Sequence, residues 1–389
     1  MEEKKTLKVP SGGMKMIHPT LGCDPEFFFS KEGKVIGSEK IIKKTGIRAS
    51  RGLISDADDG KIIRDGVQAE LNPKSSTCRE SLASNIKTCF IQILSNLPDG
   101  TKVNMSQMVR VPKDEFDSLS DDSKKFGCAE SFNCYSKKKN TFKIDPKVNR
   151  SRSAGGHIHM GIPKQTIRRK YGHESDEQYE RDIDYGLRAN QVYDALHNPE
   201  ITVPIMDLIV GNTCVLLDKG PNAKKRRKVY GRAGEHRKPK YGLEYRTLSN
   251  FWLKSYQLMS FVFGMSRFAV NIVAYSTKEC DYVAELLERV DMEDVKKAIN
   301  NNDFDLAYQN FSKIKDLLVS YAGTDTNYIP INKTTIKEFE YFITKPLSYW
   351  FKTDVVTHWT TLGDSTNPKN GWNRYSKTTI RNDPDFKKE

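Results

Sequence analysis

Four short segments of this 389-residue chain set chemistry-bearing side chains two positions apart, with apolar residues between or beside them. They hold Asp24/Glu26, Gln68/Glu70/Asn72, His157/His159 and Glu244/Arg246. A period of two belongs to extended strands, whose alternate side chains leave by the same face, and does not fit the 3.6-residue repeat of a helix. One such pair is ordinary on a half-exposed strand. Four pairs drawn from Asp, Glu, His and Arg predict strands that meet around one polar site.

The intervening chain adds helices. Leu82, Ile86, Phe90, Ile93 and Leu97 recur on one helical face behind Thr77 and Glu80, which have capping-box spacing, and Pro98-Asp99-Gly100 ends the helix. A strand running into an amphipathic helix that returns toward another strand implies a layered α+β fold. Phe27-Phe28-Phe29 has strand propensity, and Lys31-Glu32-Gly33-Lys34 is a turn into a short strand at Val35–Ile36. Asp65–Asn72 is expected as one strand stopped by Pro73. Asp65 and Glu70 then lie on opposite faces unless Gly66 sits in a bulge or turn.

Farther on, residues 164–185 are expected as loop or frayed helix, and a helix is expected from about Pro204. Residues 219–242 are expected as a basic loop, with Lys224–Lys228 solvated. Phe251–Tyr275 is the most apolar stretch, but Lys254, Arg267 and Asn271 interrupt it, which suits a core helix better than a membrane span. Residues 281–319 form an amphipathic stretch. The expected organisation is a basic arm over 1–17, a catalytic core over 18–255, a helical region packed on it over 256–364, and an exposed tail over 365–389.

A net charge of +13 favours an anionic partner without choosing among nucleotide, nucleic acid and acidic polymer. Seven cysteines with no C-x-x-C pair, and a charged N-terminus without an apolar run, suggest reduced thiols in a cytoplasmic protein. Aromatic residues do not alternate with basic ones as in a single-strand binding platform, so nucleic acid is not expected as the primary partner.

Carboxylates crowded on one face repel and need cations, and carboxylates with one histidine suit Mg²⁺ or Mn²⁺. Gly155 and Gly156 remove bulk where a ligand or metal would approach the backbone. Tyr230-Gly231-Arg232-Ala233-Gly234-Glu235-His236-Arg237 has the look of a clamp that sets guanidinium groups over phosphate. Acids holding metal together with arginines facing anions point to phosphoryl transfer on a nucleotide. Taken singly, the histidine pair could be structural and Glu244/Arg246 a cross-strand ion pair.

In order along residues 20–255, the segments Gly22–Phe29, Asp65–Pro73, Gly155–Gly161, Tyr230–Arg237 and Gly242–Ser249 resemble the phage-type COOH–NH2 ligases (type 2). That group is similar in fold to glutamine synthetase and glutamate–cysteine ligase. The resemblance implies an antiparallel sheet that binds ATP and Mg²⁺ (or Mn²⁺). It also implies an acyl phosphate, made from a small-molecule or peptide carboxylate and captured by an amine. Carried over, Asp24, Glu26, Glu70, His157 and Glu244 are metal ligands, and His159 lies beside the nucleotide phosphates with Asn72 and Arg232. Arg246, Arg232 and Arg237 are the catalytic arginines. Glutamine synthetase keeps an N-terminal domain before this core; too few residues precede the first motif here, so the site is expected within one chain. The alternatives are a metal-dependent phosphotransferase or hydrolase on the same fold and, ranked last, a nucleic-acid-binding protein. Donor, acceptor and oligomeric state are open.

Overall fold

The structure, a computed structural model, describes residues 17–50, 58–127, 131–140, 145–165, 176–278, 281–321 and 353–363, with Phe339 and Ile343. The expected arm before Ile17 and the expected tail over 365–389 lie outside the described residues. The strands are β1 (Thr20–Cys23), β2 (Glu26–Lys31), β3 (Lys34–Ile36), β4 (Ile47–Ala49), β5 (Gly60–Asp65), β6 (Gln68–Pro73) and β7 (Thr101–Asn104). They continue with β8 (Met108–Arg110), β9 (Ser131–Asn133), β10 (Lys138–Asn140), β11 (Ser151–Ser153), β12 (Ile158–Gly161), β13 (Glu235–Arg237) and β14 (Gly242–Tyr245). One sheet runs β1-β12-β14-β13-β9-β10, a second runs β3-β2-β6-β5-β4 with β7 also on β2, and β11 and β8 form a two-stranded pair. The ladders of the first sheet and those joining β2 to β3, β6 and β7 are all antiparallel. The result is the expected α+β class, with the motif strands divided between two sheets.

Strand β2 shows why the aromatic run folds as it does. Phe27 and Phe29 enter the main core, where they meet edge to face with centroids 5.4 Å apart. Phe28, on the opposite face, enters a smaller cluster with Val35, Val67, Val111, Phe116, Leu119 and Ala154. A strand buried on both faces needs a continuous apolar run, not an alternating one. Glu32 and Gly33 take positive φ in the turn to β3, as a two-residue hairpin demands.

The helix Arg79–Asn96 lays Leu82, Ile86, Phe90 and Ile93 into the main core. Its N-cap is Cys78, with no side-chain cap bond, so the expected Thr77/Glu80 box does not form. Instead Glu80 accepts from Cys78 Sγ, and the Thr77 carbonyl accepts from Arg267. Asp176–His197 is helical, so the 164–185 segment ends inside a helix.

The next helix begins at Pro199, earlier than Pro204, because Pro199 occupies the first turn, where its missing N–H is no loss. Pro204 lies inside that helix, and a π turn at Asp207–Gly211 follows it before Asn212–Val215 resumes. Residues 219–242 contain the helix Ala223–Arg227 and strand β13. Within that helix Arg226 and Arg227 are buried rather than solvated. Tyr256–Tyr275, the expected core helix, is long and apolar enough to cross a membrane, yet most of it is buried in the protein. Tyr282–Arg289, Met292–Asn301 and Phe304–Tyr321 divide the expected amphipathic stretch into three helices.

Candidate active site

The chain crosses from the first sheet to the second at Asp24-Pro25. Cys23 pairs with Ile158 on one side, and Glu26 pairs with Glu70 on the other. The backbone there is held by Glu26 N–H donating to the Gly155 carbonyl (2.9 Å) and Leu71 N–H donating to the Pro25 carbonyl (3.0 Å). This crossing brings two groups of possible metal ligands side by side in sequence: Asp24 with His157, His159 and Glu244, and Glu26 with Asp65 and Glu70. Within each group one donor atom per residue lies within 4.8 Å of the others.

Register explains the first group. His159 stands opposite both Gly22 and Glu244. Leu21, Cys23, Ile158, Met160, Leu243 and Tyr245 alternate into the core behind it. Asp24 Oδ1 lies 2.9 Å from His157 Nδ1 and 3.2 Å from His159 Nε2, while His157 Nδ1 lies 3.7 Å from Glu244 Oε1. Burial pushes the Asp24 carboxyl up, but the charge of the two nearby imidazoles, first His157 and then His159, holds it well below the usual carboxylate range. Burial also opposes charge on His159, and the Asp24 carboxylate reverses that and raises its affinity for a proton.

The second group answers the question of Asp65. Residues 60–73 form a hairpin, not a single strand, with the turn at Gly66-Val67 and Gly66 at φ 63°. Asp65 therefore pairs with Gln68, which lies two positions before Glu70, and all three share a face. A five-residue separation that would split Asp65 from Glu70 along one strand unites them across a two-residue turn. Burial, reinforced by the Glu26 and Asp24 charges, pushes Asp65 up to about 8. Burial, with Asp24, Asp65 and Glu26 adding repulsion, pushes Glu70 up to about 9. Asn72 Nδ2 donates to Glu70 Oε1 at 2.7 Å, so its amide steadies this acid.

The arginines separate into two kinds. Arg246 is fully buried and donates to Glu244 Oε1 at 2.9 Å, and Arg237, opposite Glu244 in the ladder, reaches the same oxygen at 3.4 Å. Arg232 is exposed and donates to the carbonyls of Arg227 (3.2 Å) and Lys228 (2.8 Å), so the structure does not bring it to Glu244. Arg226 donates to the carbonyls of Ala154 (2.7 Å), Thr247 (3.2 Å) and Leu248 (2.8 Å), tying the entry of the histidine strand to the exit of β14.

Gly155 and Gly156 serve a different purpose from the one their position suggested. A Cβ on Gly155 would lie 2.4 Å from His157 Nε2, and one on Gly156 would lie 2.3 Å from the Ser249 carbonyl and 2.6 Å from the Trp252 indole nitrogen. They make room for the protein's own imidazole and for its packing. Gly155 N–H also donates to Glu26 Oε2 at 2.8 Å, linking the two groups.

Two contributors escaped sequence reasoning, Tyr230 and Tyr241, whereas Asp65, which depended on a turn at Gly66, joins the site through that turn. The tyrosine hydroxyls lie 2.6 Å from His157 Nε2 and 2.5 Å from His159 Nδ1. Both lie outside the period-two pairs, and the only available signal was that they flank the glycine- and arginine-rich segment.

The donor sets fit divalent cations. Three carboxyl groups suit a hard ion such as Mg²⁺, and Asp24 Oδ1, His157 Nδ1 and His159 Nε2 are buried atoms without a hydrogen bond that converge on one point.

No curated protein matches the sequence. Among solved structures, a bifunctional glutathione synthetase from Pasteurella multocida is similar at TM-score 0.35 and 10% identity over 85% of this chain. The chain spans about half, 52%, of that protein's length. The family comparison matches the stretch that carries Arg232, Arg237, Glu244 and Arg246. Over residues 201–360 the chain matches the family Phage phiEco32-like COOH.NH2 ligase-type 2, in support of the resemblance carried by its ordered motifs.

Proposed function

We propose that the chain is an ATP-dependent carboxylate–amine ligase, working with Mg²⁺ or Mn²⁺ on a glutamine synthetase-like catalytic core. The observation that carries this reading is the pair of ligand groups around the Asp24-Pro25 crossing, with Arg237 and Arg246 fastened to Glu244 beside them. Asp24, His157 and Glu244 hold one ion, and Glu26, Asp65 and Glu70 hold another. Ions held there would neutralise phosphate charge during transfer. Arg246, buried and always charged, sets a fixed positive field at the floor of the site. Arg237, partly exposed, is placed to meet an incoming anion. The substrate carboxylate oxygen attacks the γ-phosphorus of ATP and ADP departs. The amine then displaces phosphate from the acyl phosphate and loses a proton, leaving an amide.

Hydroxylamine tests this without knowledge of the natural amine. Purified protein given ATP, Mg²⁺, hydroxylamine and pools of amino acids or peptides should yield a hydroxamate and ADP in equal amounts. Phosphate release at turnover rates with no hydroxamate from any pool would refute ligation and favour a phosphohydrolase on the same residues.

A further inference from the structure

His157 and His159 approach Asp24 from one strand, and each imidazole is backed by a tyrosine. Tyr230 follows the helix Ala223–Arg227 and meets His157 edge to face, with ring centroids 5.7 Å apart. Tyr241 stands at the turn between β13 and β14 and stacks on His159, with centroids 6.0 Å apart and planes 18° from parallel. Their hydroxyls take the outer nitrogens, Nε2 of His157 and Nδ1 of His159. The inner nitrogens, Nδ1 of His157 and Nε2 of His159, are aimed at Asp24 Oδ1. These three inner atoms are buried and short of hydrogen-bond geometry.

A neutral imidazole has one N–H and one lone pair. The Tyr230 oxygen already accepts from Arg246 Nη2, and it is positioned to accept a second bond from His157 Nε2–H. An outer nitrogen that donates leaves its lone pair pointing inward. When both outer nitrogens donate to the tyrosine oxygens, two inward lone pairs and the Asp24 carboxylate oxygen face one another, an arrangement that a cation among them relieves. Such outer partners are the usual means of orienting metal-bound histidines.

We infer that Tyr230 and Tyr241 are positioning residues that turn both imidazoles into ligands of one divalent ion, so that His159 joins Asp24, His157 and Glu244 around it. This rests on the metal-dependent reading above and changes the role of His159 from phosphate contact to metal ligand. Two imidazoles shift this position from Mg²⁺ toward first-row transition ions, among which Mn²⁺ serves as the spectroscopic probe, whereas the three carboxyl groups of Glu26, Asp65 and Glu70 suit Mg²⁺.

The test is Mn²⁺ titration of the full-length protein without nucleotide, with pulsed electron paramagnetic resonance to count coordinated imidazole nitrogens. An ion held only by carboxylates gives no nitrogen coupling, so the two positions are told apart. The wild type should show two imidazoles and His159→Ala one, with Mn²⁺ affinity at least about tenfold weaker. Tyr241→Phe, at an exposed position whose substitution spares the core, should also weaken Mn²⁺ about tenfold, in the range for lost outer partners. Its melting curve should be unchanged. A wild-type spectrum with a single imidazole, or His159→Ala binding Mn²⁺ as the wild type does, overturns the inference and leaves the ligase reading standing. No nitrogen-coupled Mn²⁺ in the wild type overturns the inference and also removes His157 as a ligand, while the hydroxamate assay tests ligation separately.

Discussion

Glu70→Gln gives the sharpest test of the crowded carboxyl site. Glu70 faces Glu26 across the ladder and shares its side of the hairpin with Asp65. Burial, then the charges of Asp24, Asp65 and Glu26, lift it from an ordinary value of 4.5 to about 9. The folded protein thus keeps a proton that the unfolded chain gives up. Below pH 4.5 both states hold it and nothing is lost. As pH rises from 4.5 toward 9 the folded state loses ground, and above 9 the loss levels off. At pH 7 the interval above 4.5 corresponds to roughly 3 kcal/mol, at about 1.4 kcal/mol per pH unit. Gln keeps the shape and can still accept from Asn72, and it carries no such penalty. In chelator at pH 7, urea unfolding should therefore find Glu70→Gln more stable than wild type by roughly 3 kcal/mol, with no difference at pH 4. Saturating Mg²⁺ should reverse the order, because it stabilises only a folded state that binds it. A stability difference between the two proteins that does not change with pH in chelator would refute the electrostatic argument.

Two further outcomes follow from packing. Gly231→Ala places a Cβ 2.1 Å from Arg226 Nη1 at a backbone φ of 72°, so it should cost about 2 kcal/mol or more in denaturant unfolding, against almost nothing for an exposed loop glycine. Phe90→Ala removes a ring stacked between Phe27 (6.4 Å) and Trp359 (6.0 Å) and should cost about 3–5 kcal/mol, with ligation per folded molecule unchanged.

Where the sequence reading failed, the failures share a cause. The capping box at Thr77/Glu80 is a local pattern; the helix begins one residue later, behind Cys78, where Glu80 accepts from the Cys78 thiol, and the Thr77 carbonyl is tied to the distant Arg267. The run Lys224–Lys228 looked solvated because five charges in a row usually are. Arg226 and Arg227 are buried because the carbonyls of residues 154, 231, 247 and 248 converge on them, and all but Gly231 lie some twenty or more residues away in the chain. Gly155 and Gly156 were correctly marked as places of close approach, but what approaches is His157, Ser249 and Trp252.

The period of two in four segments was enough to place Glu26, Gln68, Glu70, Asn72, His159 and Glu244 on strands, with Asp24, His157 and Arg246 one residue beyond a strand end, because side-chain direction in a strand depends only on parity. Helices and an α+β class followed from the same local periodicities. Tertiary structure alone decided that the strands divide between two sheets at Asp24-Pro25, that a turn at Gly66 folds Asp65 beside Glu70, and that Tyr230 and Tyr241 stand behind the histidines. Those facts depend on register and on contacts between residues far apart in the chain, such as Gly155 with Glu26, 129 positions away, and no local period encodes them.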